Sequence, residues 1–299
     1  MDFATLFQQI VNGISLGGMY ALIAIGYTMV YGVLRLINFA HADIMMVGAF
    51  LCFFAMQYFG LPFWAACIVS VIFSALLGTF VDRVAYRPLR FAPRISMLIT
   101  AIGVSFFLEN SFNVFFGSSA QSFSSPEFLS QTILINEISI TLITLVVPAL
   151  TLILLLMLLY LLYRTKQGMA IRAVAFDVST VSLMGINANK IISLVFIIGS
   201  SLASVGGICY AVSYPTIDPF MGVMVGLKAF AAAVLGGIGS VGGAVLGGFI
   251  LGFTEVMAVM FLPELSGYQD AFAFLLLILV LLFRPVGIMG DERLERSRF

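Results

Sequence analysis

Charge is what this sequence has least of. Only 9% of its 299 residues are Asp, Glu, Lys or Arg, against roughly a quarter in an ordinary soluble chain, so no water-facing surface can be built around a core. The bilayer must act as the solvent. Fourteen basic and fourteen acidic residues cancel, which withholds the basic field that gripping nucleic acid requires. With His41 as the one histidine, neither a Ser-His-Asp set nor a multi-histidine metal centre is easily assembled, which argues against an intramembrane enzyme. No G-x-x-x-x-G-K-[ST] run occurs, so the chain cannot cradle nucleotide phosphates in the P-loop manner. If ATP drives it, another subunit hydrolyses the ATP. Cys52, Cys67 and Cys209 fall inside apolar runs and read as small buried hydrophobes rather than a disulfide framework. Met1 to Gly18 lacks the basic start and the cleavage site of a signal peptide, and is read as mature sequence. No repeat of fixed period and no low-complexity linker is visible, so 1–299 reads as a single membrane domain.

What the sequence has is apolar length: 62% of it is hydrophobic. Charge-free runs cover 3–34, 44–81, 110–126, 138–163, 191–217 and 229–254. A run of about 26 residues spans about 39 Å as a helix, enough for a tilted crossing. The run 44–81 must hold two crossings, divided at Gly60-Leu61-Pro62, since glycine suits the end of one helix and proline the first turn of the next. The expected fold is an all-α polytopic bundle with spans at 10–34, 42–59, 62–81, 95–116, 138–162, 191–213, 244–262 and 269–283, plus a short or broken segment at 225–238. Gly237-Ile238-Gly239-Ser240-Val241-Gly242 matches G-x-G-x-x-G literally, but that fingerprint needs a soluble strand–turn–helix. Gly236, Gly237, Gly239, Gly242 and Gly243 read instead as a helix break, tolerated at membrane depth where it is buried or lines a cavity.

All basic residues except Arg35 and Lys228 fall in 82–94 (Arg83, Arg87, Arg90, Arg94), in 164–190 (Arg164, Lys166, Arg172, Lys190) and in the tail (Arg284, Arg293, Arg296, Arg298). Cytoplasmic loops retain Lys and Arg, so all three are expected inside. The loop 117–137, with Glu127 and Glu137, and the connection 263–268, with Glu264, are expected outside. Parity then makes 225–238 a short crossing with the N-terminus outside, although Lys228 near its outer end fits the rule poorly. His41 and Asp43 read as a loop pair at the cytoplasmic end of the first hairpin. Small residues at every fourth position (Gly13, Gly17, Ala21; Gly199, Ala203, Gly207, Ala211; Gly239, Gly243, Gly247) predict close helix contacts. Glu109, with Asn110 and Asn113, and Glu255 are the ionisable or amide groups placed deepest, and an intramembrane carboxylate must face protein or water. Solute passage is expected along a mostly apolar path near the glycine break, with Tyr27, Asn110 and Glu255 as lining candidates.

Between Arg164 and Lys190 a short helix is expected: Asp177 as N-cap, Gly185 past its end, and Val178, Val181 and Met184 as an apolar edge. A helix this short is unstable alone in water and needs a surface to pack on. The run Arg172-Ala173-Val174-Ala175-Phe176-Asp177 followed by Met184-Gly185-Ile186-Asn187 resembles the cytoplasmic coupling loop of permeases from branched-chain amino acid ABC importers. Arg35-Leu36-Ile37-Asn38-Phe39-Ala40-His41 and Ala233-Val234-Leu235-Gly236-Gly237-Ile238-Gly239-Ser240, the latter before Gly242-Gly243-Ala244, resemble two further motifs of that family. The likeness covers nearly the whole chain and points to the shorter, LivH-type permease subunit. Ala42, Phe176-Asp177, Val181 and Gly242 depart from the usual wording of these motifs.

The resemblance implies an importer of branched-chain or other hydrophobic amino acids in a bacterial inner membrane. It implies two permease subunits around a central pathway, two cytoplasmic ATPases docked on the coupling loops through Arg172 and the 177–185 helix, and a periplasmic substrate-binding protein. No cofactor is expected on this chain; ATP and Mg belong to the ATPases, and no nucleic acid is involved. A urea or amide permease of the same family is the alternative within it, and a secondary transporter or channel the alternative outside it.

Overall fold

The computed structural model describes residues 3–90, 92–135 and 138–290. Glu137 and the basic tail positions Arg293, Arg296 and Arg298, which enter the orientation argument, lie outside the described residues. The order is α1 (Phe3–Leu34), α2 (Ala40–Gln57), α3 (Phe63–Val81), α4 (Arg94–Phe116), β1 (Gln121–Ser122), α5 (Glu127–Ser130), β2 (Thr132–Ile135), β3 (Ile138–Thr141), α6 (Leu142–Arg164), α7 (Lys166–Phe176), α8 (Val178–Leu183), α9 (Ala188–Ser213), β4 (Thr216–Ile217), α10 (Met221–Gly236), α11 (Val241–Phe261) and α12 (Gln269–Phe283). Among the described residues 8 helices are long and apolar enough to cross a membrane, and α10 is a shorter apolar helix. The protein is a polytopic α-helical membrane protein.

α1 is the central helix, packed against α6, α9, α10 and α11. Its small-residue face meets that of α11 in antiparallel register: a Cβ on Gly17 would sit 2.7 Å from the Phe249 Cα, and one on Gly248 would sit 2.6 Å from the Ala21 nitrogen. Helices in lipid gain nothing by hiding apolar surface from water, so dispersion contacts between closely approached backbones hold such pairs. Serines lock the neighbouring trio α2, α3 and α9. The Ser70 hydroxyl donates to the Gly48 carbonyl at 2.6 Å and lies 2.9 Å from the Ser204 hydroxyl. The outer faces of α4, α6 and α12, with Phe107, Phe115, Ile153, Leu156, Ile278 and Leu282, are exposed apolar surface suited to lipid.

The division of 44–81 falls where expected, with Gly60 at φ +61° and Pro62 immediately before α3. Several boundaries differ, among them α1, which begins at Phe3 and not at 10, and α10, Met221–Gly236 where 225–238 was expected. The helix expected to stop at 81 continues through a π turn, Asp82–Tyr86, and a 3-10 turn, Arg87–Leu89, so most of the expected loop is helical. The residues at the start of the span expected from 138 form β3, which pairs antiparallel with β2, Ile133 opposite Ile140. Alternating Ile-Ser-Ile-Thr fits a pleated ribbon and not only a helix start. His41 and Asp43 do not sit in a loop; both lie in the first turn of α2, each 1% exposed. The His41 ring fills the space beside Gly26 and meets the Tyr27 ring edge-on at 4.8 Å.

The glycine break lies between α10 and α11. Gly237 has φ +107° and Gly239 φ +97°, conformations that only glycine adopts without strain. Gly236 and Gly243 touch backbone to backbone across the turn, and the Ser240 hydroxyl caps α11 by accepting from the Gly243 N–H at 3.1 Å. The segment after α12 covers the break. Ile288 N–H donates to the Leu235 carbonyl and Met289 N–H to the Gly236 carbonyl, both at 2.9 Å. These bonds satisfy carbonyls left open at the end of α10.

Candidate functional site

A cavity of about 930 Å³ opens at the end of the bundle where α1 begins and α9 and α11 end. This is the end that the distribution of basic residues assigns to the outside. Its wall is partly apolar, from Leu16, Met19, Val256 and Val259, and partly polar, from Gln9, Asn12, Ser15, Tyr210 and Tyr214. Two charged residues, Lys228 and Glu255, also line it.

These two form a buried network. Lys228 Nζ on α10 lies 2.6 Å from Glu255 Oε1 on α11 and 2.5 Å from Asp270 Oδ1 in the first turn of α12. The Tyr20 hydroxyl on α1 donates to Glu255 Oε2 at 3.0 Å, and its ring centroid is 5.8 Å from Lys228 Nζ. Four helices therefore meet at one set of charges. The Lys228 and Glu255 side chains are only 8% and 5% exposed. A lone Lys at membrane depth costs roughly 2.5–3.5 kcal/mol on insertion scales, and two carboxylates at contact distance offset that cost. Pairing is also why Lys228 escapes the inside rule for basic residues: it is held within the bundle and is not displayed in a loop. Asp270 gains further from the amide dipoles at the start of α12.

Of the residues proposed from sequence for the pathway, Glu255 borders the cavity, whereas Tyr27 and Asn110 do not. Tyr27 packs between the His41 and Phe230 rings. Asn110 lies on the exposed face of α4 and donates to the Phe106 carbonyl at 2.8 Å. The glycine break sits at the opposite end of the α10–α11 hairpin from the cavity. Sequence reasoning missed Asp270 as a partner of Lys228 and Tyr20 as a partner of Glu255; Lys228, a lone cation in an apolar helix, is the signal that could have found its carboxylates. A second polar cluster joins α2 to α4: the Ser105 hydroxyl donates to Asp43 Oδ2 at 2.5 Å and lies 3.5 Å from Glu109 Oε1.

At the other end, α7 and α8 follow one another between α6 and α9, separated by Asp177. Thr165 caps α7 by accepting from the Gly168 N–H at 3.0 Å, and Gly168, Ile171 and Val174 turn inward. The sequence reading missed α7, although Ile171 and Val174 at i, i+3 after a threonine carry its signature. α8 forms where expected. Asp177 Oδ1 accepts from the Thr180 N–H at 3.3 Å, and Gly185 has φ +80°. Its apolar edge is divided: Val181 is buried at 5%, whereas Val178, Leu183 and Met184 are exposed, the last two at 89% and 73%. Arg172 lies over the Tyr163 ring at 4.9 Å.

A family model described as branched-chain amino acid transport system / permease component matches residues 9–281. The chain is 41% identical to the high-affinity branched-chain amino acid transport system permease protein BraD of Pseudomonas aeruginosa, over 97% of each chain. It is 41% identical to the permease protein LivH of the corresponding high-affinity system of Salmonella typhimurium, over 99% of each. It is 26% identical to a probable branched-chain amino acid transport permease protein LivH of Methanocaldococcus jannaschii, over 91% of this chain and 88% of that one.

Proposed function

The chain belongs to the family of branched-chain amino acid transport permease components, and from that premise we propose that it forms the membrane pathway of an ABC importer for branched-chain amino acids in a bacterial inner membrane. The observation that carries the substrate class is 41% identity extending over 97% of both this chain and a permease named for that substrate. The chain is a transport subunit and not an enzyme. ATP and Mg are handled by two cytoplasmic ATPase subunits, a periplasmic binding protein delivers the amino acid, and a second permease subunit completes the pathway. The lack of a phosphate-binding loop supports this division of labour.

The chain's own residues supply a mechanism in outline. The cavity bordered by Glu255 receives solute at the outer end. At the inner end Arg172 and the α8 residues Asp177, Val178 and Val181, with Met184 and Gly185, couple the ATPases to the helices. The exposed Leu183 and Met184 side chains support docking, because an apolar tip displayed in water gains by burial against a partner. α8 joins α9 through a short turn, so a shift of α8 is passed to a helix that packs on α1, α2 and α3.

The test is uptake by proteoliposomes holding the complete importer. ATP-dependent accumulation of leucine, isoleucine or valine that requires the binding protein is the expected outcome. Accumulation of urea or short amides in their place would reassign the substrate. Uptake driven by a sodium or proton gradient without ATPase subunits would replace the importer by a secondary transporter.

A further inference from the structure

We propose that Lys228 and Glu255 form the subsite that receives the charged head of a zwitterionic amino acid, the α-carboxylate on Lys228 Nζ and the α-ammonium on Glu255. This rests on the substrate reading above. Both residues line the cavity of about 930 Å³, a volume within the range of roughly 300–1,000 Å³ usual for small-molecule sites. A protonated lysine has three N–H donors. One is donated to Glu255 Oε1, while Asp270 Oδ1 lies 2.5 Å away as an ion-pair partner outside hydrogen-bond geometry, and among the described residues no further acceptor is bonded to the ammonium. Glu255 uses one oxygen for Lys228 and the other for the Tyr20 hydroxyl, and each carboxylate oxygen has a further lone pair to offer an ammonium.

The third charge explains how such a site can work without stranding an ion. A zwitterion cannot enter an apolar path unless both of its charges are met. When Glu255 turns to the incoming ammonium, Asp270 still holds Lys228, so Lys228 stays charged and available to the carboxylate. A helix clamp needs only one carboxylate per lysine; the second suits an exchange of partners. The apolar wall of Leu16, Met19, Val256 and Val259 lies in the same cavity and suits an aliphatic side chain. An uncharged solute such as urea would leave the ion pair with nothing to do.

The experiment measures leucine uptake per assembled complex, its half-saturation, and the melting temperature, for the full importer in proteoliposomes. The variants are Lys228→Met, Lys228→Arg, Glu255→Gln and the uncharged triple Lys228→Met/Glu255→Gln/Asp270→Asn. Each of Lys228→Met and Glu255→Gln is expected to lower uptake about tenfold or more, the loss of one charge-assisted bond, while Lys228→Arg retains more uptake than Lys228→Met. The triple variant strands no charge, so it is expected to melt like the wild type and still fail to carry leucine. Wild-type uptake by the triple variant, or by both single variants, would reduce the network to a helix clamp and overturn the proposal. A wild-type importer that carries no branched-chain amino acid at all overturns the substrate assignment and this subsite together, which separates that failure from failure of the subsite alone.

Discussion

Asp82 and Arg90 lie 2.5 Å apart across a π turn and a 3-10 turn, the carboxylate wholly buried and the guanidinium side chain 10% exposed. Arg90 also donates to the Asn189 side chain, and the Ser193 hydroxyl donates to Asp82 Oδ2 at 2.7 Å. The pair thus ties the end of the third span to the first turns of α9, the helix that follows α8.

Breaking this pair on one side strands an ion. Arg90→Met is expected to destabilise the protein by about 3–5 kcal/mol, the usual cost of leaving a buried charge unpaired. The double variant Asp82→Asn/Arg90→Met is expected to recover most of that loss. Melting temperatures in detergent check both; equal stability of the single variant and the wild type would show that the pair holds nothing.

The docking role of α8 separates from its folding role by residue. Leu183→Ser and Met184→Ser remove exposed side chains, so stability is expected to stay within about 0.5 kcal/mol of wild type while copurification of the ATPases falls. Val181→Asp places a charge at a buried position and is expected to disorder α8 itself. ATPase copurification alongside thermal melting distinguishes the two classes. Full ATPase binding by all three variants would move the docking site to 82–94.

Two glycines of the break are strained to different degrees. At Gly239 a Cβ meets open space, so Gly239→Ala bears only the conformational penalty, about 1 kcal/mol. At Gly237 the same Cβ would sit 2.5 Å from the Gly290 nitrogen, in the segment that covers the break. Gly237→Ala is therefore expected to lower the melting temperature more than Gly239→Ala and to loosen residues 287–290. Hydrogen exchange at Ile288 and Met289 reports the loosening directly.

Orientation is tested on exposed sites. Cysteines at Ser124 and Arg83, in a background lacking Cys52, Cys67 and Cys209, are expected to react with an impermeant reagent from opposite sides of the membrane. Reaction of the Arg83 cysteine, and not the Ser124 one, from the periplasmic side would invert the assignment of the cavity to the outer face.

The spans, the division at Gly60, the glycine break and the capped α8 were all legible in the sequence. Each is decided locally, by apolar length, by the conformations only glycine accepts, or by a side chain bonding its own backbone three residues on. Tertiary structure alone decided which charges meet. Tyr20, Lys228, Glu255 and Asp270 are scattered over 250 residues of chain, and nothing in their spacing tells which helices adjoin; small residues let the backbones of α1, α10 and α11 close up, and α12 packs on α10 and α11. The same holds for Asp82 and Arg90. A turn expected to be loop became helix, and what the count of basic residues treated as a free charge is a buried partner. Periodicity reports the environment of one helix, whereas the cost of an unpaired ion in a low-dielectric interior is settled only when helices pack.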